Sequence, residues 1–149
     1  MVYKSILVPL DGSKRAERIL SHVGDLARQC KATIILLRVV EPDQDGLGTY
    51  SGSVDLYRSS FERWEKEAMA YLAGIQGELR TMGLDVRKVL ESGPVVKKII
   101  NVAASEDVDL IAMASHGRTG LSNAFYGSVA AGVLHQVDRP LLLIRADED

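Results

Sequence analysis

Two short stretches carry residue types and spacings that could do chemistry. The first runs Ala114-Ser115-His116-Gly117-Arg118-Thr119-Gly120 and is completed further on by Gly127-Ser128-Val129. A glycine at 117 lets the backbone turn sharply with no side chain in the way, so its N–H can approach an anion closely. Gly127 and Ser128 stand where a helical apolar period begins. A helix start offers unpaired N–H groups and the positive end of the dipole, which together suit a phosphate. The Ser128 hydroxyl adds a donor, Arg118 can add a charge-assisted bond, and His116 stands beside Gly117 within reach of the same anion. The second stretch, Pro9-Leu10-Asp11-Gly12-Ser13, places one carboxylate in a turn. A plainer alternative stays open for each: turn glycines at 117 and 120, a helix cap at Ser128, turn-and-cap chemistry at Asp11 beside Ser13, and a loop histidine bonded to nearby backbone at 116.

Both stretches follow apolar runs that read as buried strands. Ser5 to Leu10 is continuously apolar, Thr33 to Val40 is rich in β-branched residues, and Val108 to Ala114 and Pro140 to Ile144 have the same character. Leu84 to Leu90 instead alternates apolar and charged residues, which predicts a half-exposed strand near a sheet edge. Between the strands, apolar residues recur at helical intervals: Ala16 to Cys30, Phe61 to Leu79 (through Trp64, Ala68, Leu72 and Ile75), Val96 to Ala103, and Val129 to Val137. Ser13 is placed to cap the first helix, Met82-Gly83 to close the second, and Pro94 to occupy the first turn of the third. Glu41 to Ser60 has neither period and reads as one long irregular connection. Five strands alternating with four helices imply an α/β protein: a parallel sheet covered on both faces, a three-layer α/β/α sandwich. Ligands of such sheets bind beyond the carboxyl ends of the strands, where strand order reverses. Both chemical stretches sit at such ends.

Composition narrows the classes. The chain has 149 residues, 46% hydrophobic and 26% charged, a soluble globular balance that fits one domain spanning 1–149. Eighteen Lys and Arg against 20 Asp and Glu give a formal net charge of −2, which offers no electrostatic case for nucleic acid. The single cysteine, Cys30, excludes an internal disulfide and a cysteine-based zinc site, and no metal-ligand spacing is present. No apolar run reaches the ~20 residues that span a bilayer, so no membrane partner is expected and the cytoplasm is the default location. Several α/β activities fail at the motif level. The turn after the first strand has one glycine where a dinucleotide fold needs G-x-G-x-x-G. No P-loop and no G-x-S-x-G elbow occurs, and the acidic pocket of a phosphoacceptor receiver is missing.

Taken together, the residues resemble the universal stress protein family. The resemblance is carried by Lys4 to Ser13, Leu36-Leu37-Arg38-Val39, Gly93-Pro94, Asp109 to Gly120, Gly127-Ser128-Val129-Ala130 and Arg139 to Arg145, and so spans essentially the whole chain. It implies an adenine nucleotide alpha hydrolase-like sheet in the order 3-2-1-4-5 and homodimers, commonly through the last strands. In the ATP-binding branch the signature is G-x2-G-x9-G-[ST]; here it reads Ala114-x2-Gly117-x9-Gly127-Ser128, with alanine for the first glycine. By position, the resemblance implies that Pro9, Leu10 and Asp11 border the ribose, Asp11 accepting from its hydroxyls. It places Val39 and Met113 beside the adenine, and Gly117, Arg118, Gly127, Ser128 and Val129 around the phosphates, with Mg²⁺ held mainly by those phosphates. Plain core packing is the alternative for Val39 and Met113.

Three functions follow as expectations. The first is an ATP-binding regulatory module. The second is a slow ATP hydrolase, for which Asp11 and His116 are the only groups near the phosphates able to act on water. The third is a nucleotide-independent interaction protein, favoured by the missing glycine. The first accounts for most of the motif. His22, His135, Cys30 and Trp64 read as structural, with Trp64 in the core stripe beside Phe61 and Leu72.

Overall fold

The computed structural model describes residues 2–41, 54–116 and 127–146. The apolar runs become β1 (Ser5–Pro9), β2 (Thr33–Val40), β4 (Leu110–His116) and β5 (Leu141–Ala146), and the alternating run becomes β3 (Asp85–Ser92). They form one sheet in the order β3-β2-β1-β4-β5, and every neighbouring pair is parallel. The helices are α1 (Ile19–Cys30), α2 (Val54–Thr81), α3 (Val95–Ser105) and α4 (Gly127–Gln136). This is the three-layer sandwich and strand order expected from the sequence.

The two faces of the sheet are read directly from the strands. Ile6 and Val8 of the first strand and Leu10 just past its end, with Ile34 and Leu36 of the second, pack against Ile19, Val23 and Ala27 of α1 and Leu72, Ile75 and Leu79 of α2. Leu7, Ile35, Leu37 and Ile111 face the other way, onto Ile99, Val102 and Ala103 of α3 and Ala130 and Val133 of α4. Ile6, Leu7, Val8, Ile34, Leu36 and Leu37 are 0% exposed. Each contributes about 1.5–3 kcal/mol of transfer free energy, which is why the central strands need no polar alternation.

Polar staples fix where the strands begin. Asp109 Oδ2 accepts from the backbone N–H groups of Lys4 (2.7 Å) and Ser5 (3.0 Å), tying β1 to the start of β4. Arg139 donates from Nη1 to the carbonyls of Ala103 (2.9 Å) and Val108 (3.0 Å), anchoring the approach to β5. With the amino ends locked, the carboxyl ends of the strands are set in register.

Some boundaries differ from the sequence reading. Residues 16–18 form a single 3-10 turn before α1 rather than its first α-helical turn. Pro94 occupies the cap of α3 with extended backbone, not its first turn. The helix α2 begins at Val54, so the irregular connection is shorter than 41–60; Arg58, Ser59 and Ser60 propagate a helix that apolar periodicity alone detects only from Phe61. Its end is as expected: Gly83 takes φ +83°, Gly83 N–H bonds to Arg80 O and Leu84 N–H to Leu79 O. Among the described residues no helix is long and apolar enough to cross a membrane.

Candidate functional site

The strand order reverses between β1 and β4, so the segments leaving their carboxyl ends diverge and leave a cleft. Its walls, among the described residues, are Pro9, Leu10, Asp11 and Ala16 from the β1 side, Met113 and Ala114 from β4, Val95 and Ile99 from α3, and Ser128, Val129 and Ala130 from α4. Seven of the expected site residues therefore meet there: Pro9, Leu10, Asp11, Met113, Ala114, Ser128 and Val129. Val39 does not line the cleft. It is 5% exposed and packs with the core layer under α3, the plain alternative weighed for it. His116 closes β4, its backbone paired in register with Ala146. Gly117 and Arg118 lie outside the described residues, as does most of the connection after β2.

The amino end of α4 has the geometry its sequence suggested. Gly127 adopts φ +72°, a left-handed backbone conformation that L side chains rarely take. The helix then starts with Ser128 and Val129 facing the cleft, so its free N–H groups and dipole are directed at that space. Ala114 sits in regular strand with no positive φ, so a methyl group in place of the motif's first glycine carries no backbone strain.

Asp11 is the site's one described carboxylate. Its Oδ1 accepts two bonds from Ser13, from the backbone N–H at 2.9 Å and from the hydroxyl at 2.6 Å. Ser13 Oγ also accepts the Ala16 N–H at 3.1 Å, so the expected cap and turn chemistry is present. Burial works against the charge on Asp11. The two Ser13 bonds, and then the Arg38 guanidinium, outweigh it and hold the carboxyl below its usual range.

A second, open cleft lies on the α2 side of the same turn, lined by Gly12, Arg38, Val40, Glu41, Trp64, Glu67, Ala68 and Tyr71. Trp64 is half-buried on this wall rather than in the core stripe, while Ala68 and Leu72 behind it are buried. The sequence reading missed Tyr71. Its hydroxyl donates to Glu17 Oε2 at 2.8 Å, and burial together with that bond raises it above the ordinary phenol range. The available signal was spacing: Trp64 and Tyr71 are two helical turns apart on one face. Also unforeseen were Val95 and Ile99, delivered to the first cleft by the Gly93-Pro94 turn. Among the described residues no cluster of His, Cys, Asp or Glu is grouped to hold a metal ion.

The family model described as the universal stress protein family matches residues 2–145. A universal stress protein of Methanocaldococcus jannaschii, MJ0577, is 29% identical over 97% of this chain and 96% of its own length. A universal stress protein of Thermus aquaticus is 31% identical over 97% of this chain and 100% of its own. The solved structure of MJ0577 superposes with a TM-score of 0.83 at 28% identity, covering 100% of both chains. The fold also matches a universal stress protein in complex with cAMP (TM-score 0.71, 18% identity, 98% of this chain and 99% of that one). A further match is the Archaeoglobus fulgidus universal stress protein in complex with dAMP (TM-score 0.64, 22% identity, 97% of this chain and 99% of that one).

 The chain belongs to the universal stress protein family.

Proposed function

We propose that this protein is an adenine-nucleotide-binding regulatory module that takes ATP in the cleft between β1, β4 and α4. The observation that carries this reading is the convergence on one cleft of an ionised acceptor, Asp11, an apolar wall, Pro9, Leu10 and Met113, and the amino end of α4 behind a left-handed Gly127. These are the parts a nucleotide needs: an acceptor for sugar hydroxyls, flat apolar contact for a base, and N–H donors for phosphate. Related folds solved with cAMP and dAMP support the same reading. Mg²⁺ would ride on the phosphates. Gly117, Arg118 and His116 are assigned to the phosphate side by position in the motif. The protein acts in the cytoplasm as a homodimer joined through β5. The strain-free backbone at Ala114 favours this reading over a nucleotide-independent interaction protein. Calorimetry with ATP and Mg²⁺ tests it. Saturable binding that Asp11→Ala weakens about tenfold is expected, since a hydrogen bond to a charged acceptor is worth ~1.5–3 kcal/mol. No heat at millimolar ATP would remove the proposal.

A further inference from the structure

The open cleft against α2 lies on the other face of the sheet from α3 and α4. Side chains alternate along β2, so Arg38 and Val40 share the face of Leu36, while Val39 points into the opposite layer. Trp64, Glu67, Ala68 and Tyr71 recur at i, i+3, i+4 and i+7 and give the cleft one helical wall. Val40 and Ala68 are buried, Trp64 and Tyr71 half-buried, and two exposed carboxylates flank them, Glu67 on α2 and Glu41 just past β2. The cleft encloses about 370 Å³, the size of a small-molecule pocket.

Its charges are unequal. Among the described residues, Glu41 and Glu67 have no hydrogen-bond or ion-pair partner. Glu17 stands behind Tyr71, accepting its hydroxyl at 2.8 Å, and Asp11 adjoins Gly12 in the wall. Against these four stands Arg38, which donates from Nη1 to the Val39 carbonyl at 2.9 Å and favours the ionised form of Asp11. Lys14, 3.8 Å from Glu17, is 83% exposed and screened by water. The Tyr71 hydroxyl registers the balance, since Glu17 and Asp11 raise it by more than Arg38 lowers it.

We propose that this cleft binds an organic cation, a substituted ammonium whose charge lies over the Trp64 ring between Glu41 and Glu67 and whose apolar groups rest on Val40 and Ala68. An aromatic face attracts a cation through its quadrupole, and the flanking carboxylates add to that attraction. The surplus of carboxylates repels an anion. A metal ion finds no cluster of His, Cys, Asp or Glu to hold it among the described residues. The site stands apart from the nucleotide cleft and does not depend on it.

Trp64 is the chain's one tryptophan, so its fluorescence reports on this cleft alone. The full chain is titrated at constant ionic strength with choline and with its neutral isostere, in which carbon replaces the ammonium nitrogen. A saturable change in emission with choline, and none with the isostere, is expected. Glu41→Gln and Glu67→Gln together should weaken choline binding about tenfold and, as both side chains are exposed, leave thermal unfolding unchanged. Equal responses to the two probes would mean a merely apolar groove and would overturn the inference. Undiminished choline binding by the double variant would overturn it too, as would no saturable response at tens of millimolar choline. Emission of the free protein that neutral acrylamide fails to quench would mean a cleft closed to solutes, and would be equally decisive against it.

Discussion

At the scale of single residues, the site is a set of small commitments that each exclude an alternative. Gly127 excludes side chains by its φ of +72°, so Gly127→Ala is expected to cost about 1–2 kcal/mol, the penalty of a left-handed L-residue, read from chemical denaturation. Asp11 gives a pH dependence with a definite sign. Its carboxyl is more acidic folded than unfolded, so its contribution to stability is complete above the unfolded value and is lost as pH falls through the folded one. The difference in unfolding free energy between wild type and Asp11→Asn should be constant above about pH 5 and shrink below about pH 4. A gap that instead widened on acidification would contradict the assignment. The sequence made Asp11 and the Gly127-Ser128 pair legible because turn chemistry is local. It could not show that one oxygen of Asp11 is already taken, since that depends on the rotamers of two side chains. Arg38 was legible only as part of a strand end; its field on Asp11 requires knowing that β2 lies beside β1.

At the scale of elements, helical and strand periods revealed nearly the whole fold because each buried face is continuous. They were weakest where a helix leaves the core. The first turns of α2 carry Arg58, Ser59 and Ser60, so no apolar period marks them, and Trp64 is half-buried on the wall of the open cleft rather than in the core. Leu72→Ala is therefore expected to cost about 2–5 kcal/mol, whereas Trp64→Phe should cost less than about 1 kcal/mol. Thermal or denaturant unfolding of the two variants compares them directly. A closer contact governs α3 and α4. A Cβ at Gly132 would lie 2.7 Å from Val96 Cγ2 and 3.2 Å from Cγ1. Alanine would gain about 1 kcal/mol of helix propensity, but overpacking costs roughly 1–3 kcal/mol and β-branched Val96 has one preferred helical rotamer. Gly132→Ala should thus destabilise the wild type, and the same substitution in a Val96→Ala background should stabilise. If the sign did not change, the close approach of the helices would not be the reason for the glycine.

At the scale of the whole molecule, the two edges of the sheet are finished differently. In β3 the residues whose backbone groups face outward include Val86, and its carbonyl accepts from Gln76 Nε2 at 2.9 Å and Arg80 Nη2 at 3.1 Å, both from α2. Lys88 adds a charge on the same edge, bonded to Gln76 Oε1 at 3.0 Å. Covered and charged edges resist pairing with another chain. At the other edge, Ile111 N–H bonds to the Pro140 carbonyl, which turns Leu142 and Ile144 toward β4 and the backbone groups of Leu141 and Leu143 outward. The side chains from Leu141 to Ile144 are half-exposed. Apolar residues beside an open ladder suit a second copy of the strand, which is the physical basis of the proposed dimer through β5. Leu143→Pro removes an outward N–H without removing a bond to β4, and Leu143→Ala removes the same packing while keeping that N–H. Sedimentation should find the alanine variant dimeric and the proline variant monomeric; two dimers, or two monomers, would mean that backbone pairing along β5 is not what joins the subunits.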